Sequence, residues 1–281
     1  MKNLSVSILV LALLALVAGC GSSESDSTGA ATASDCKGEL PTKKEGTLTV
    51  GTDKPAYPPY FENDDPTNGE GFESAVAYAI AKNLGFSKEK VDWTVVPFNS
   101  SYAPGPKDFD FDVNQISITP TREKAVDFSA PYYTANQAVV ALKSSEAAEA
   151  TSLEDLKSAK IGVQIGTTSL DGVEEKIEPD DRPEVFNSSN DVVTALKNEQ
   201  IDAVVVDLPT ALYLTAVQVP NAKVVGQFSV PGGDQWGALL EKESKLTPCV
   251  SEAIEELEES GELEEITQRW MSKAAGAPEL S

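Results

Sequence analysis

FDFDVNQISITPTREKAVDFSAPYY, Phe109 to Tyr133, is the stretch on which the reading of this chain turns. Phe109, Phe111, Val113, Ile116 and Ile118 are β-favouring apolar residues set among polar ones, which predicts a strand kinked at Gln115-Ile116-Ser117. Pro120 turns the chain and leaves Arg122 just past the strand's end. The sequence holds three arginines, and this one follows the hydroxyls of Ser117, Thr119 and Thr121. A planar guanidinium fork beside such hydroxyls is a carboxylate-binding arrangement. The local chemistry allows equally a surface arginine paired with Glu123 or Asp127.

Upstream, Leu48 to Gly51 reads as a short strand ending in Asp53. DKPAYPPYF then excludes regular structure, because its prolines fix dihedrals and remove donors, so Tyr57, Tyr60 and Phe61 sit on a stiff loop at a strand end. DDPTNGEG, Asp64 to Gly71, resembles a calcium loop only superficially, and a hairpin turn at Asn68-Gly69 is expected instead. Phe72, Val76, Ile80 and Leu84 recur at helical spacing with Gly85 as the stop. Val91 to Pro97 is the next strand and Phe98 follows it; Pro104, Gly105 and Pro106 argue against a long helix there.

Downstream, Ala138 to Leu142 is an apolar strand, and Ser152 with Asp155 makes a capping box. Strand Lys160 to Gln164 feeds Gly166-Thr167-Thr168-Ser169, a turn that either binds a small anion through amides and hydroxyls or is a plain N-cap. Phe186, helix Asp191 to Asn198 and strand Ala203 to Val206 lead to Asp207-Leu208-Pro209, where Asp207 reads as an N-cap whose second oxygen is free for a cation. Strand Ala222 to Phe228 and two Glu-rich helices, Pro248 to Glu259 and Gly261 to Met271, complete the chain, with Trp270 anchored in the core. Strands alternating with helices twice over imply an α/β fold of two lobes. Strands 138–142 and 222–228 are expected to cross between them, giving a discontinuous first lobe (41–142 and 229–281) and a second lobe (143–228).

The N-terminus carries its own signals. An apolar run from Val6 to Val17 is too short for a comfortable span and reads as an export signal over residues 1–19. Leu16-Val17-Ala18-Gly19-Cys20 resembles the lipobox of bacterial lipoproteins, which implies acylation of Cys20, an anchor on the outer face of the cell membrane and a tether over residues 20–40. Residues 21–35 contain nothing to bury and would hold the folded part roughly 20 Å from its anchor.

A formal charge of −23 disfavours nucleic acid and anionic lipid as partners. Histidine is absent, which removes Ser-His and Cys-His catalysis and the commonest zinc ligand; no cofactor and no metal are expected. Cys36 and Cys249 remain as a disulfide of an exported protein or as two free buried thiols.

The central segment, together with GTLTVGTDKPAYPPYF, GEGFESAVAYAIAKNLG, IGVQIGTTSLDGV, IDAVVVDLPTALY and ELEEITQRWM in that order, resembles the extracellular solute-binding proteins of family 3, which deliver polar amino acids to ABC importers. The resemblance implies a periplasmic-binding-protein-like fold with two hinge strands and a site in the cleft between its lobes. It gives Arg122, Thr167 and Thr168 the ligand α-carboxylate, and Asp207, Ser117 and the Gln115 carbonyl the α-ammonium. It places Asp53, Tyr57, Phe98 and Gln164 against the ligand side chain, Gln164 departing from the lysine of some glutamine binders. After the backbone pair only Asp53 is left charged, so glutamine or a basic amino acid is expected over glutamate, with Lys54 as the neighbour able to invert that balance. An ABC permease is the implied partner and a monomer the implied state. Two rivals stand beside this: a sensing or surface-interaction lipoprotein, and an enzyme similar to the cyclohexadienyl dehydratases with Asp53 or Glu73 as acid or base.

Overall fold

The computed structural model describes Cys36 and residues 38–230, 233–271 and 277–281; the expected export signal, the expected lipidation at Cys20 and the expected tether through residue 35 lie outside the described residues. Strands and helices alternate along the described chain as the apolar pattern demands. The elements are β1 (Leu48–Thr52), α1 (Phe72–Asn83), β2 (Val91–Val95), α2 (Phe98–Ser101), β3 (Phe111–Asp112), β4 (Val126–Ala135) and β5 (Gln137–Leu142). There follow β6 (Ile161–Gln164), α3 (Thr168–Gly172), β7 (Glu184–Phe186), α4 (Ser189–Lys197), β8 (Ala203–Asp207), α5 (Leu208–Tyr213), β9 (Ala222–Phe228), β10 (Asp234–Glu241), α6 (Thr247–Ser260) and α7 (Glu262–Met271).

Among the described residues the strands form two five-stranded sheets, ordered β2-β1-β3-β10-β4 and β7-β6-β8-β5-β9. In each, three neighbouring strands run parallel and the fourth is antiparallel to them. The molecule is therefore an α/β protein of two lobes. The carboxyl ends of β1, β2, β3, β6 and β8 carry the loops that meet between the sheets, where open α/β sheets collect ligands.

Sheet membership moves the expected lobe boundary. β5 pairs with β8 and β9, so the first crossing is at Asn136, ahead of that strand rather than after Leu142. The burial pattern gives the reason: Ala138, Val140 and Leu142 pack into one apolar cluster with α4 and α5, while Val139 and Ala141 pack into another with Ile161, Val163 and Val173. A strand apolar on both faces belongs in the middle of a covered sheet. The second crossing runs from Phe228 to Asp234. The C-terminus also departs from the expected first lobe: Glu279 bridges Gln227 on β9, and Leu280 is buried in the second lobe.

Local chemistry altered three smaller expectations. The long strand from Phe109 shrinks to β3 because Gln115 adopts φ +49, after which Ile116 and Ile118 bond to Gly237 and Gln235 of β10. Asn68-Gly69 is a turn but not a hairpin; Pro66–Asn68 forms one 3-10 turn capped by Asp65 and leads into α1. Ser152 and Asp155 do bond reciprocally, yet enclose only the single turn Glu154–Leu156.

The first lobe's core joins Leu48, Val50, Phe72, Ile80, Phe111 and Trp236 to Val250, Ile254 and Leu257 of α6. Cys36 and Cys249 are joined as a disulfide across 213 residues, tying the start of the folded part to α6. Trp270 packs against this core partly buried rather than sealed within it.

Candidate functional site in the cleft

A cavity of about 460 Å³ opens between the lobes, within the range usual for small-molecule sites. Asp53, Tyr57, Phe98, Gln115, Ser117, Arg122, Gln164, Thr167, Thr168 and Asp207 all line it.

Arg122 is drawn inward by its own turn. Its backbone amide donates to Thr119 Oγ1 at 3.2 Å, and the side chain folds back so that Nη1 donates to the Ser117 carbonyl at 2.6 Å. Nη2 donates to the Gly166 carbonyl of the other lobe at 2.9 Å. The guanidinium lies 5.5 Å from the Phe98 ring centroid and 4.8 Å from that of Tyr102. It is 7% exposed, and among the described residues it makes no ion pair. The surface pairing open to it in the sequence does not form: Asp127 is 3.0 Å from Lys242 instead. Burial lowers the guanidinium's pKa, opposed by Tyr102 and by the charges of Asp234, Asp171 and Asp207.

Gly166 is where glycine is required. Its φ of +73 is left-handed, and a Cβ there would lie 2.3 Å from the Tyr102 hydroxyl. The turn that follows ends in Thr167, whose Oγ1 donates to the Gln164 carbonyl at 2.9 Å and accepts from Leu170 N at 3.3 Å. Thr168 Oγ1 donates to Asp234 Oδ2 at 2.7 Å and sits 3.2 Å from Ser117 Oγ, so its hydroxyl joins the two lobes.

Asp207 does not cap α5; no side-chain cap bond forms there. Its Oδ1 accepts from Gln137 Nε2 at 2.7 Å, and the same amide nitrogen donates to Asp234 Oδ2 at 2.6 Å. One neutral amide thus stands between two carboxylates. Burial first, and then the Asp234 charge, push the Asp207 carboxyl well above the usual range, against the Gln137 bond and Arg122. Nearby Tyr133 is raised to about 12 by burial and by Asp207.

Gln115 lines the cavity from the first lobe. Left-handed backbone at a residue with a long side chain costs about 1–2 kcal/mol, and here Glu73 compensates. Glu73 Oε1 accepts from Gln115 N at 2.6 Å and from the Tyr132 hydroxyl at 2.5 Å, while its Oε2 accepts from Gln115 Nε2. Desolvation outweighs those bonds and raises the Glu73 carboxyl to about 7.

The remaining wall is mostly neutral. Asp53 accepts from Lys54 N at 2.6 Å and from Phe98 N at 3.1 Å, which fixes the start of α2. Lys54 also lines the cavity, with its Nζ 3.7 Å from Asp64 Oδ2, which matches its charge. Tyr57 donates its hydroxyl to Asn190 Oδ1 across the cleft and lies 6.0 Å from the Tyr213 ring. Gln164 Oε1 accepts from Ser189 Oγ at 2.5 Å. Tyr60 and Phe61 also line the cavity from within the core: Tyr60 is 3% exposed with its hydroxyl 2.8 Å from Thr210 Oγ1, and Phe61 is buried against Trp93.

Sequence reasoning missed Gln137, Asp234 and Tyr102, and gave Glu73 only to the rival enzyme. Asp234, 2% exposed, opens an apolar strand directly after a glycine pair; an acid in that setting is the one local signal that was there to be used.

The family model of the bacterial extracellular solute-binding proteins, family 3, matches residues 48–273. The chain is 32% identical over 269 residues to the arginine-binding extracellular protein ArtP of Bacillus subtilis (strain 168), covering 92% of this chain and 97% of that one. Among solved structures, an ancestral arginine-binding protein bound to glutamine superposes with a TM-score of 0.68 at 34% identity, covering 81% of this chain and 98% of that one. The ancestral amino acid-binding protein AncCDT-1, a precursor of cyclohexadienyl dehydratase, gives a TM-score of 0.64 at 28% identity, covering 80% and 95%.

Proposed function

Because the chain belongs to the bacterial extracellular solute-binding proteins of family 3, we propose that it is a lipid-anchored extracytoplasmic receptor that closes on one polar amino acid and delivers it to an ABC importer. One observation carries the reading: a buried arginine whose guanidinium bonds neutral carbonyls lines one cavity with Asp207, whose carboxyl shares a single amide with Asp234 behind it. An α-amino acid brings the missing partner to each end. Arg122 with Thr167 and Thr168 takes the α-carboxylate, and Asp207 with Ser117 and the Gln115 carbonyl takes the α-ammonium. Since these groups come from both lobes, closure requires both ends of the ligand.

Asp53, Tyr57, Phe98 and Gln164 contact the ligand side chain. With Lys54 engaged by Asp64 and the wall carrying the neutral polar groups of Asn99, Ser189, Asn190 and Gln218 beside Asp53, a neutral polar or cationic side chain fits and an acidic one meets the Asp53 charge. Glutamine, arginine and lysine are the favoured ligands. Calorimetric titration with single amino acids tests this: binding of one or more of those three is expected, and tight glutamate or aspartate binding without them overturns it.

Cys20 carries the lipid, and the protein works as a monomer with a membrane permease. Labelling with a clickable fatty acid that disappears in C20A, and loss of amino acid uptake on deletion, are the expected results. The relatives named above are binding proteins, and the same is proposed for this chain; turnover of prephenate or arogenate would reverse that.

A further inference from the structure

Beneath the ammonium end of the cavity lies a carboxylate that does not itself line it but bonds Gln115, which does. Glu73 stands at the second position of α1, is 0% exposed, and is enclosed by elements of the first lobe. Each group that bonds it is a donor: the Gln115 amide, the Gln115 side-chain amide and the Tyr132 hydroxyl. An ionised carboxylate accepts all three bonds at once, whereas a protonated carboxyl adds an O–H that must turn to the Tyr132 oxygen or to a turned Gln115 amide, so protonation rearranges the contacts that hold Gln115. Two of the three donors belong to Gln115, which lines the cavity and holds φ +49, and whose carbonyl accepts no hydrogen bond among the described residues.

We propose that Glu73 is a positioning residue for the ligand's ammonium group: ionised, it locks Gln115 in its left-handed conformation and so presents the Gln115 carbonyl, and arrival of the ammonium expels a proton held at Glu73. The proton passes from the Glu73 carboxyl to solvent, leaving the carboxylate beside the bound cation. This inference rests on the reading of the cleft as an amino acid site.

The surroundings are arranged for such coupling. Asp112 on β3 and Asp207 on β8 are the acids that act on the same region, both pushed well up by burial, and Tyr60 and Tyr132 face Glu73 as neutral phenols. Among the described residues no cation pairs with Glu73. These acids crowd one end of the cleft, and burial raises the Glu73 carboxyl to about 7, so that a pH near neutrality divides it between two states. A cation entering beside these acids favours their ionised forms.

Affinity and stability then respond to pH in opposite senses. Protonated Glu73 favours the buried fold, whereas ionised Glu73 favours the ligand. A residue that only supports the core would change stability and leave the pH profile of binding alone.

The test uses the mature chain with L-arginine and L-glutamine as probes. By NMR, the Gln115 amide of the ligand-free protein should titrate with a midpoint near the Glu73 value, and the better-bound probe should move that midpoint to lower pH. Calorimetry in buffers of different ionisation enthalpy at pH 7 should register proton release. E73Q should bind roughly ten- to a hundredfold more weakly, with the pH dependence reduced to what Asp207 supplies; E73D, which keeps a carboxylate, should recover part of it. If the Gln115 amide is flat from pH 5.5 to 8.5, or if E73Q binds like the parent with the same pH profile, the proposal is overturned. Should E73Q fail to fold, the amide titration and the buffer dependence in the unmutated protein still decide. Failure of the unmutated protein to bind any amino acid would instead overturn the functional reading, and this one with it, while a surviving amide titration would mark where the failure lies.

Discussion

The two ends of the cleft are built on different principles. At one end a single cation, Arg122, is held by two backbone carbonyls and two aromatic faces, with no carboxylate in contact. At the other, Asp207 and Asp234 crowd around one Gln137 amide, with Glu73 and Asp112 buried behind them. The cationic end has one charge and no reserve; the anionic end has an excess that must be kept partly protonated. Loss of a residue should therefore be severe at the first end and graded at the second.

R122M is expected to have the largest effect. It removes the only buried cation facing the cavity among the described residues and should weaken amino acid binding by about 3–5 kcal/mol, since the ligand carboxylate would be buried unmatched. Denaturant midpoints should stay level or rise, because a desolvated charge has been removed. Calorimetry paired with unfolding curves checks both; binding within tenfold of the parent would show that the carboxylate lies elsewhere.

The pH dependence of stability comes next. Burial raises the Glu73 carboxyl to about 7 against an ordinary value of 4.5, so the folded chain keeps a proton that the unfolded chain has already lost. The stabilisation is whole below the unfolded value and drains away as pH rises to the folded one, a loss of roughly 3 kcal/mol across that window. Asp112 and Asp207, also raised by burial, add in the same direction. Asp65, Glu89, Asp155 and Glu241 are held down by their neighbours and act oppositely, but only at lower pH. Urea midpoints of the ligand-free protein should fall from pH 5 to pH 8; a rise over that range would show that the excess of buried acid is not felt.

D207N should weaken binding by about 2 kcal/mol, less than R122M, because Asp234 and Glu73 still supply negative potential. D234N should weaken it by about 1 kcal/mol, acting through Thr168 and Gln137 rather than by contact. Equal losses in the two variants would mean that the ligand bonds both carboxylates, and the distinction between contact and support would go.

Where the sequence could be read, one segment's own chemistry was sufficient. The spacing of Phe72, Val76 and Ile80 is a helix's core face whatever it packs against, and each strand-end residue on the cavity wall stands beside a turn signal such as Pro120, Gly166 or Pro209. Gln137, Asp234 and Glu73 were opaque for the opposite reason. Glu73 in a first helical turn reads as an acid complementing the helix dipole, and only the approach of Gln115 and Tyr132 from distant segments makes it a buried acceptor. Gln137 looks like the polar cap of an apolar strand until β8 and the second crossing bring a carboxylate to it from each side. The crossing at Asn136 was hidden for a related reason: an apolar strand carries no mark of which sheet it will join, and β5 is assigned by partners far away in sequence.

The most direct test of the account offers the cleft one end of a ligand at a time. Calorimetry should compare the best-bound amino acid with its α-amide and with its N-acetyl derivative, which remove the carboxylate charge and the ammonium charge without touching the side chain. Both derivatives are expected to bind at least a hundredfold more weakly, an effect on the order of 3 kcal/mol. If either one binds as tightly as the parent amino acid, Arg122 and Asp207 do not grip the two ends of the ligand.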